Sequence, residues 1–225
     1  MEPDSTGDSV GHLLTAIRLA DTAFPSGGFA FSSGLEGAYR DGHVRNEDDV
    51  HAFVAEQVTL RWHTGDRVLL RMAWSARNPV HVDRLADATS PMSVLRAAST
   101  RAGTALLGTF AALGHEAAAD YRSAVRSNAA VGHLPIAQAV CYRCAGLDCR
   151  TAESIAGWQM IAGIAGAATR LGIVGHIGAQ RVVGHASTVL AEALALQPPA
   201  RPAAFSWFAD IAAQRSTGGV RLFAS

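Results

Sequence analysis

Apolar residues recur along this chain at the three- and four-residue spacing that is typical of amphipathic α-helices. The first such pattern runs from about Leu13 to Ala23, and a longer one comprises Leu95, Ala98, Ala102, Leu106, Leu107 and Phe110. No segment of useful length shows the apolar and polar alternation of a β-strand. The pattern predicts an all-α fold, a single-domain helical bundle of roughly eight to ten helices.

Polar residues and glycines stand where helix ends are expected. Gly42 suits the left-handed residue that stops a helix, and Asn46, followed by three carboxylates, suits an N-cap. Ser90 and Thr151 are placed to cap two later helices, and a helix break is expected at residues 64–65.

The ends of the chain differ from its middle. Residues 1–11 are polar and are expected to form a flexible tail, followed by one domain over residues 12–225. The proline-rich residues 198–202 form a stiff spacer, after which Phe205, Trp207 and Phe208 can anchor a short segment. Residues 214–225 are polar until Leu222 and Phe223, and they are expected to form a docking tail.

One loop, within residues 19–36, carries an unusual density of conformational determinants. Pro25 fixes its own φ and favours an extended Phe24, whereas the glycine pair that follows permits positive φ. Ser32 or Ser33 is expected to cap the next helix. The loop is therefore expected to hold a fixed shape and to present aromatic side chains to a partner, although some of these side chains must also pack in the core.

The amino-acid composition and the net charge exclude some classes of function. The 225 residues carry a formal net charge of zero, which lacks the basic footprint of a nucleic-acid-binding protein. Polar residues and glycines interrupt the most apolar stretch, residues 155–178, so no membrane span is expected. The N-terminus lacks the pattern of a secretory signal. We expect a cytoplasmic protein that binds neither nucleic acid nor membrane.

Cys141, Cys144 and Cys149 form the one cluster of soft metal ligands in the sequence. Their helical spacing favours buried, inert thiols, and transient nickel handling remains the alternative. The nine histidines are scattered, and most are expected at the surface or in solvated clefts. We therefore expect no metal site and no cofactor.

Signatures of catalysis are missing from the sequence, because it has neither a phosphate-binding P-loop nor a nucleophile elbow. A protein that acts by binding partners is the favoured class. The alternatives are a helical-bundle enzyme, which needs a buried cluster of titratable groups, and a DNA-binding regulator, which needs a basic recognition helix. The small residues 162–168 favour core packing, with a self-association face as the alternative.

Three motifs resemble those of the urease accessory protein family UreF. They are Asp21-x-x-Phe-Pro-x-Gly-Gly-Phe-x-x-Ser-x-Gly-Leu-Glu36, Arg170-Leu-Gly-x-x-Gly-x-x-x-x-Gln180 and Arg221-Leu-Phe-Ala-Ser225. Arg215 and Ser216 stand where the family usually has a His-Glu pair, which puts any role of that pair in doubt here.

The resemblance implies an all-α homodimer that is not an enzyme. Such a protein would bind UreD (UreH in some species) and the GTPase UreG, assemble on apo-urease and promote nickel insertion. The residues expected to bind partners belong to the loop and the tail: Phe24, Pro25, Gly27, Gly28, Phe29, Ser32, Gly34, Glu36, Arg221, Leu222, Phe223 and Ser225.

Overall fold

A computed structural model describes residues 5–26 and 32–203, with side chains from Val10 onward. Over these residues the fold is all-α and contains no strand, as the sequence predicts. The helices are α1 (Ser5–Ala20), α2 (Leu35–Arg40), α3 (Glu47–Glu56), a π-helix (Gln57–Asp66), α4 (Arg67–Ser75), α5 (Val80–Thr89), α6 (Ser93–Ala112), α7 (Glu116–Arg126), α8 (Leu134–Cys144), α9 (Cys149–Arg170) and α10 (His176–Ala195). The π-helix joins α3 to α4 without interruption, so the described chain has nine separate helices.

The core consists of two packed groups of buried side chains, and α9 contributes to both. Ile155 and Ala156 in its first half pack with α4, α6 and α8. Ile161, Ile164 and Ala168 in its second half pack with α2, α3 and α10. The central helix therefore joins the two groups into a single domain.

The π-helix replaces the break that the sequence predicts at residues 64–65. Gly65 adopts a helical conformation there, and Arg67 continues directly into α4. A glycine inside a helix weakens it without ending it when the flanking turns pack well. Here Trp62 before the glycine and Val68 after it are buried and hold the helix together. Ten-residue π-helices are rare, and short π segments often mark functional sites.

The helix ends confirm some of the capping predictions and correct others. Asn46 accepts the Asp49 N–H at 3.0 Å, so it is the predicted N-cap. Asp148, rather than Thr151, caps α9, because its carboxylate accepts the Thr151 N–H at 2.9 Å. Ser90 lies at the end of α5, so the prediction that it caps α6 was wrong.

The N-terminal helix begins earlier than the apolar pattern indicates. It starts at Ser5 rather than Leu13 and ends at Ala20 rather than Ala23. Residues 5–11, which were expected to belong to a flexible tail, therefore lie in α1. The sequence favours a tail here because the segment reads Ser-Thr-Gly-Asp-Ser-Val-Gly, which has low helix propensity and no apolar stripe.

The small residues 162–168 lie mainly in the core. Ile164, Ala165, Ala167 and Ala168 are buried within this one chain. The core-packing interpretation is therefore correct for most of the segment, and little of its surface is left for self-association.

One glycine sits where α6 crosses the loop before α8. A Cβ added at Gly103 would lie 2.1 Å from the backbone oxygen of Gly132. Because backbone atoms cannot move aside cheaply, we expect Gly103→Ala to lower the free energy of unfolding by about 3 kcal/mol. Urea denaturation measures this loss.

The matched control is Gly184→Ala, in the interior of α10. A Cβ there meets nothing within 4 Å, so helix propensity should raise the stability by about 0.5–1 kcal/mol. Equal effects of the two substitutions would contradict this account of the crossing.

Candidate functional site

The first part of the loop packs tightly on α6. The Phe24 ring meets the Phe110 ring edge-on, with the two centroids 5.8 Å apart. The Pro25 side chain is exposed, and its backbone oxygen accepts a hydrogen bond from Thr109 Oγ1 at 2.8 Å. Gln159 on α9 donates to the Leu19 oxygen at 2.8 Å and fixes the end of α1. The loop therefore leaves α1 in a defined direction.

The second part of the loop is buried and uses left-handed backbone. Ser33 has φ 51° and Gly34 has φ 88°, directly before α2. The prediction that Ser32 or Ser33 caps α2 was wrong: the N-cap is Gly34, and no side chain caps this helix. The backbone oxygen of Ser32 instead accepts the Leu35 N–H at 2.9 Å. The buried hydroxyls of both serines have no hydrogen-bond partner among the described residues.

Glu36 is buried in the first turn of α2, where the helix dipole favours a carboxylate. Its Oε1 accepts from Arg40 one turn later, at 3.1 Å. Ser32, Gly34 and Glu36 therefore shape the loop from inside the protein in this conformation, whereas Pro25 faces outward.

A cavity of about 70 Å³ lies between the two ends of the loop and the π-helix. Ser26 and Ser33 line it from the loop, and Arg61, Trp62 and Asp66 line it from the π-helix. The Arg61 and Asp66 side chains approach each other to 3.7 Å. The two described ends of the loop thus line one cavity together with part of the π-helix.

Ala203, which directly follows the proline-rich spacer, reaches the same helix. The Ala203 N–H donates to the Thr64 backbone oxygen at 2.8 Å. Ala203 also lines a second cavity, of about 80 Å³, which again includes Arg61 and Asp66. Ala203 and the described ends of the loop therefore line two cavities that share one pair of charged residues.

Seven of the predicted partner-binding residues lie outside the described residues. They are Gly27, Gly28, Phe29, Arg221, Leu222, Phe223 and Ser225.

A buried ionic cluster, which the sequence did not reveal, anchors the end of α10. Arg67 is fully buried and donates to the backbone oxygens of Ala193 at 2.7 Å and Leu196 at 3.1 Å. It also pairs with the buried Glu153 at 3.2 Å, and Glu153 in turn pairs with Arg71 at 3.1 Å. The helical spacing of apolar residues could not reveal this cluster, because its members come from three helices far apart in sequence.

His63 lies beside this cluster, and its Nδ1 is 3.0 Å from Arg67 Nη1. Burial and the Arg67 charge lower the pKa of His63. The ring is therefore neutral near pH 7 and accepts a hydrogen bond from the guanidinium.

A second buried group organises the turn before α8. Asp83 accepts the backbone N–H groups of Val131, Gly132 and His133 at 2.7–2.9 Å, and it also accepts the Tyr121 hydroxyl at 2.9 Å. Burial, followed by the Asp83 charge, raises the pKa of Tyr121. These bonds fix the turn where α6 and α8 meet.

His133 is buried, whereas most histidines were expected at the surface or in solvated clefts. Its ring contacts Ser99 Oγ at 3.2 Å and Asp87 Oδ1 at 3.3 Å. Ser99 Oγ also accepts the Leu134 N–H at 3.1 Å, which satisfies the first turn of α8. In the sequence, the Leu134-Pro135 pair indicates that a helix begins directly after His133. The His133 ring is enclosed at this helix start.

The cysteines fit the interpretation as inert thiols. Cys141 is fully buried, and burial, followed by the neighbouring Cys144, raises its pKa. Burial also raises the pKa values of Cys144 and Cys149. Protonated thiols are poor metal ligands. Within residues 5–26 and 32–203, no group of three or more histidine, cysteine or acidic side chains could hold a metal ion.

None of the helices formed by the described residues is long and apolar enough to span a bilayer.

The fold and the site define an all-α protein in which the described ends of one loop, and Ala203, line cavities beside the π-helix. The family model UreF matches residues 44–187, more than half of the chain. The chain therefore belongs to the UreF family.

Curated relatives extend the match over most of the chain. The urease accessory protein UreF of Arthrobacter sp. (strain FB24) is 32% identical over 80% of this chain and 81% of its own length. That of Paenarthrobacter aurescens (strain TC1) is 29% identical over 83% and 84%. The urease accessory protein F of Oryza sativa subsp. indica is 29% identical over 79% of this chain and 70% of its own length.

Proposed function

We propose that this chain is a urease accessory protein that acts as an adaptor rather than as an enzyme. It assembles with UreD and the GTPase UreG on apo-urease in the cytoplasm and promotes nickel insertion into the urease active site. Membership of the UreF family is the observation that carries this proposal. GTP hydrolysis belongs to UreG in this scheme, so the chain itself needs no reaction centre.

The positions of the loop ends and of Ala203 support a recruitment role. Ser26 and Ser33 line one cavity and Ala203 lines another, and both cavities include Arg61 and Asp66 of the π-helix. We propose that the loop tip and the residues after Ala203 extend from this point as one continuous surface for UreG. A fixed loop with aromatic side chains loses little conformational entropy on binding, which favours a docking role.

The enzyme alternative is less favoured by the chemistry of the buried groups. The carboxylate of Asp83 is engaged by backbone N–H groups, and Arg67 is engaged by backbone oxygens. His133 contacts both Ser99 and Asp87, but Ser99 also satisfies the backbone of α8. Each of these groups thus has a structural task that explains its burial.

Urease maturation in cells tests the adaptor proposal. The chain is supplied to a host that expresses the cognate urease, UreD and UreG but lacks a UreF. We expect urease activity and urease-bound nickel to appear only when the chain is present. Nickel-free urease in the presence of the folded chain would contradict the proposal.

We further propose that the chain forms a homodimer through the outer face of α1. Val10, Leu13, Leu14 and Ile17 recur at helical spacing, and each is more than half exposed. Beside them, α1, α9 and α10 enclose an almost entirely apolar groove of about 350 Å³ that includes Trp158. A continuous exposed apolar face of this kind is typical of an interaction surface.

Leu14→Glu should therefore convert the dimer to a monomer, because the carboxylate would be buried in an apolar interface. Light scattering should give twice the 23.5 kDa chain mass for the parent and the single-chain mass for the variant. Leu113→Glu, at another exposed apolar position, is the matched control and should remain a dimer. A parent chain that is monomeric at every concentration, with or without UreD, would disprove dimerisation.

A further inference from the structure

The cavity beside Ala203 opens as a groove along the π-helix. Leu60, Leu69, Pro91, Met92 and Leu95 supply its apolar lining, and Arg61, Thr64 and Asp66 supply a polar side. Leu60 is 42% exposed, so a large apolar side chain stands at the surface where the groove is open. We call this feature the π-groove.

The described chain ends inside this groove. Ala203 lines it, and its N–H is held 2.8 Å from the Thr64 backbone oxygen. The preceding residues 198–202 contain three prolines, so they restrict the directions from which the chain can arrive. The position from which the next residues depart is therefore fixed.

The residues after Ala203 carry aromatic side chains that suit an apolar groove. Residues 204–208 read Ala-Phe-Ser-Trp-Phe, so three aromatic side chains follow within five residues of Ala203. An extended chain spans about 3.5 Å per residue, which places Phe205 within roughly 7 Å and Trp207 within roughly 14 Å of Ala203. Both distances are short enough for a side chain to enter the π-groove.

We propose that the aromatic segment, residues 205–208, docks in the π-groove of its own chain. Its rings cover Leu60 and the apolar side of the groove, while the Trp207 indole N–H has the Asp66 carboxylate within the same groove as an acceptor. Docking is intramolecular and begins from a fixed point, so it loses little entropy. The inference concerns this chain alone and stands whether or not UreG binds the tail.

Docking would determine where the last part of the tail begins. The residues after 208 would leave the protein next to Arg61 and Asp66, the pair that also lines the loop cavity. The aromatic segment would thus position the tail beside the loop, independently of any partner.

Trp207 emission tests the proposal in the full chain. The chain has four tryptophans, and subtracting the spectrum of Trp207→Phe from that of its parent isolates Trp207. We expect the isolated emission to lie at short wavelength and to be protected from acrylamide quenching. The same subtraction is made in the Leu60→Asp background, with and without Trp207→Phe. There we expect the Trp207 emission to shift to long wavelength and its quenching to rise towards that of free N-acetyltryptophanamide.

Two further variants complete the test. Ala203→Pro removes the N–H that binds Thr64 and should also weaken the protection of Trp207. Ile177→Asp, at an exposed apolar position in the first turn of α10, is the matched control and should leave the emission unchanged. A Trp207 that emits like free indole in the parent, or that keeps its protection in Leu60→Asp, would overturn the proposal.

Discussion

Replacing Arg67 by methionine should lower the free energy of unfolding by about 3–5 kcal/mol. The substitution removes the donors that satisfy the backbone oxygens at the end of α10. Among the described residues it leaves the fully buried Glu153 with Arg71 as its one ionic partner. A buried carboxylate that loses a partner is costly, because the protein interior solvates charge poorly. Domains of this kind are stable by about 5–15 kcal/mol, so the loss is a large fraction of the total.

Arg71→Met is the matched control, because Arg71 binds the other oxygen of the same carboxylate. Its side chain is 42% exposed and solvent screens it, so we expect a loss of only about 1 kcal/mol. The double variant Arg67→Met with Glu153→Gln should recover part of the loss by removing the buried charge. Urea denaturation of the four proteins measures these differences. Equal losses for the two arginines would contradict the assigned role of Arg67.

The class of fold and several helix ends could be predicted from the sequence, because they depend on neighbouring residues. The apolar spacing specified the helices, and the side chain of Asn46 reaches a backbone N–H only three residues away. Gly42 adopts the predicted left-handed conformation, with φ 76°.

The π-helix could not be predicted, because long-range packing stabilises it. Gly65 and Thr64 favour a break locally, but contacts with α10 and the bond from Ala203 hold the segment in place. The apolar pattern likewise missed α7, because only Ala118 and Tyr121 of that helix are buried. Tyr121 is held there by Asp83, a partner 38 residues away.

The candidate site was only partly predictable for the same reason. The sequence indicated a loop with special backbone geometry, and Ser33 and Gly34 have it, although no serine side chain caps the helix. It gave no indication that both ends of the loop line one cavity with the π-helix, because Ser26 and Arg61 come to the same cavity only in the folded chain.

Removing residues 221–225 should abolish UreG recruitment while leaving the fold almost unchanged. The deletion removes five of the 225 residues and none of the described helices, so we expect helicity and dimerisation to persist. The tail follows a proline-rich spacer and the Gly218-Gly219 pair, so it cannot stabilise itself as a long helix. Leu222 and Phe223 therefore need an apolar surface, which in our proposal is the loop within residues 19–36.

Arg221→Ala should reproduce most of this loss. Its planar guanidinium suits backbone oxygens or a carboxylate and would fix the direction of the tail. An arginine anchor at an interface contributes about 2–4 kcal/mol, so UreG affinity should fall by roughly 30-fold or more. UreD binding should suffer less, because it does not depend on this end of the chain in our proposal.

Co-purification of UreG with the tagged chain and UreD tests the central claim most directly. The full chain should retain both partners and support urease activation, whereas the chain without residues 221–225 should remain a dimer and retain UreD but lose UreG. A truncated chain that still recruits UreG and activates urease normally would contradict the account, because the tail would then have no part in the partner surface.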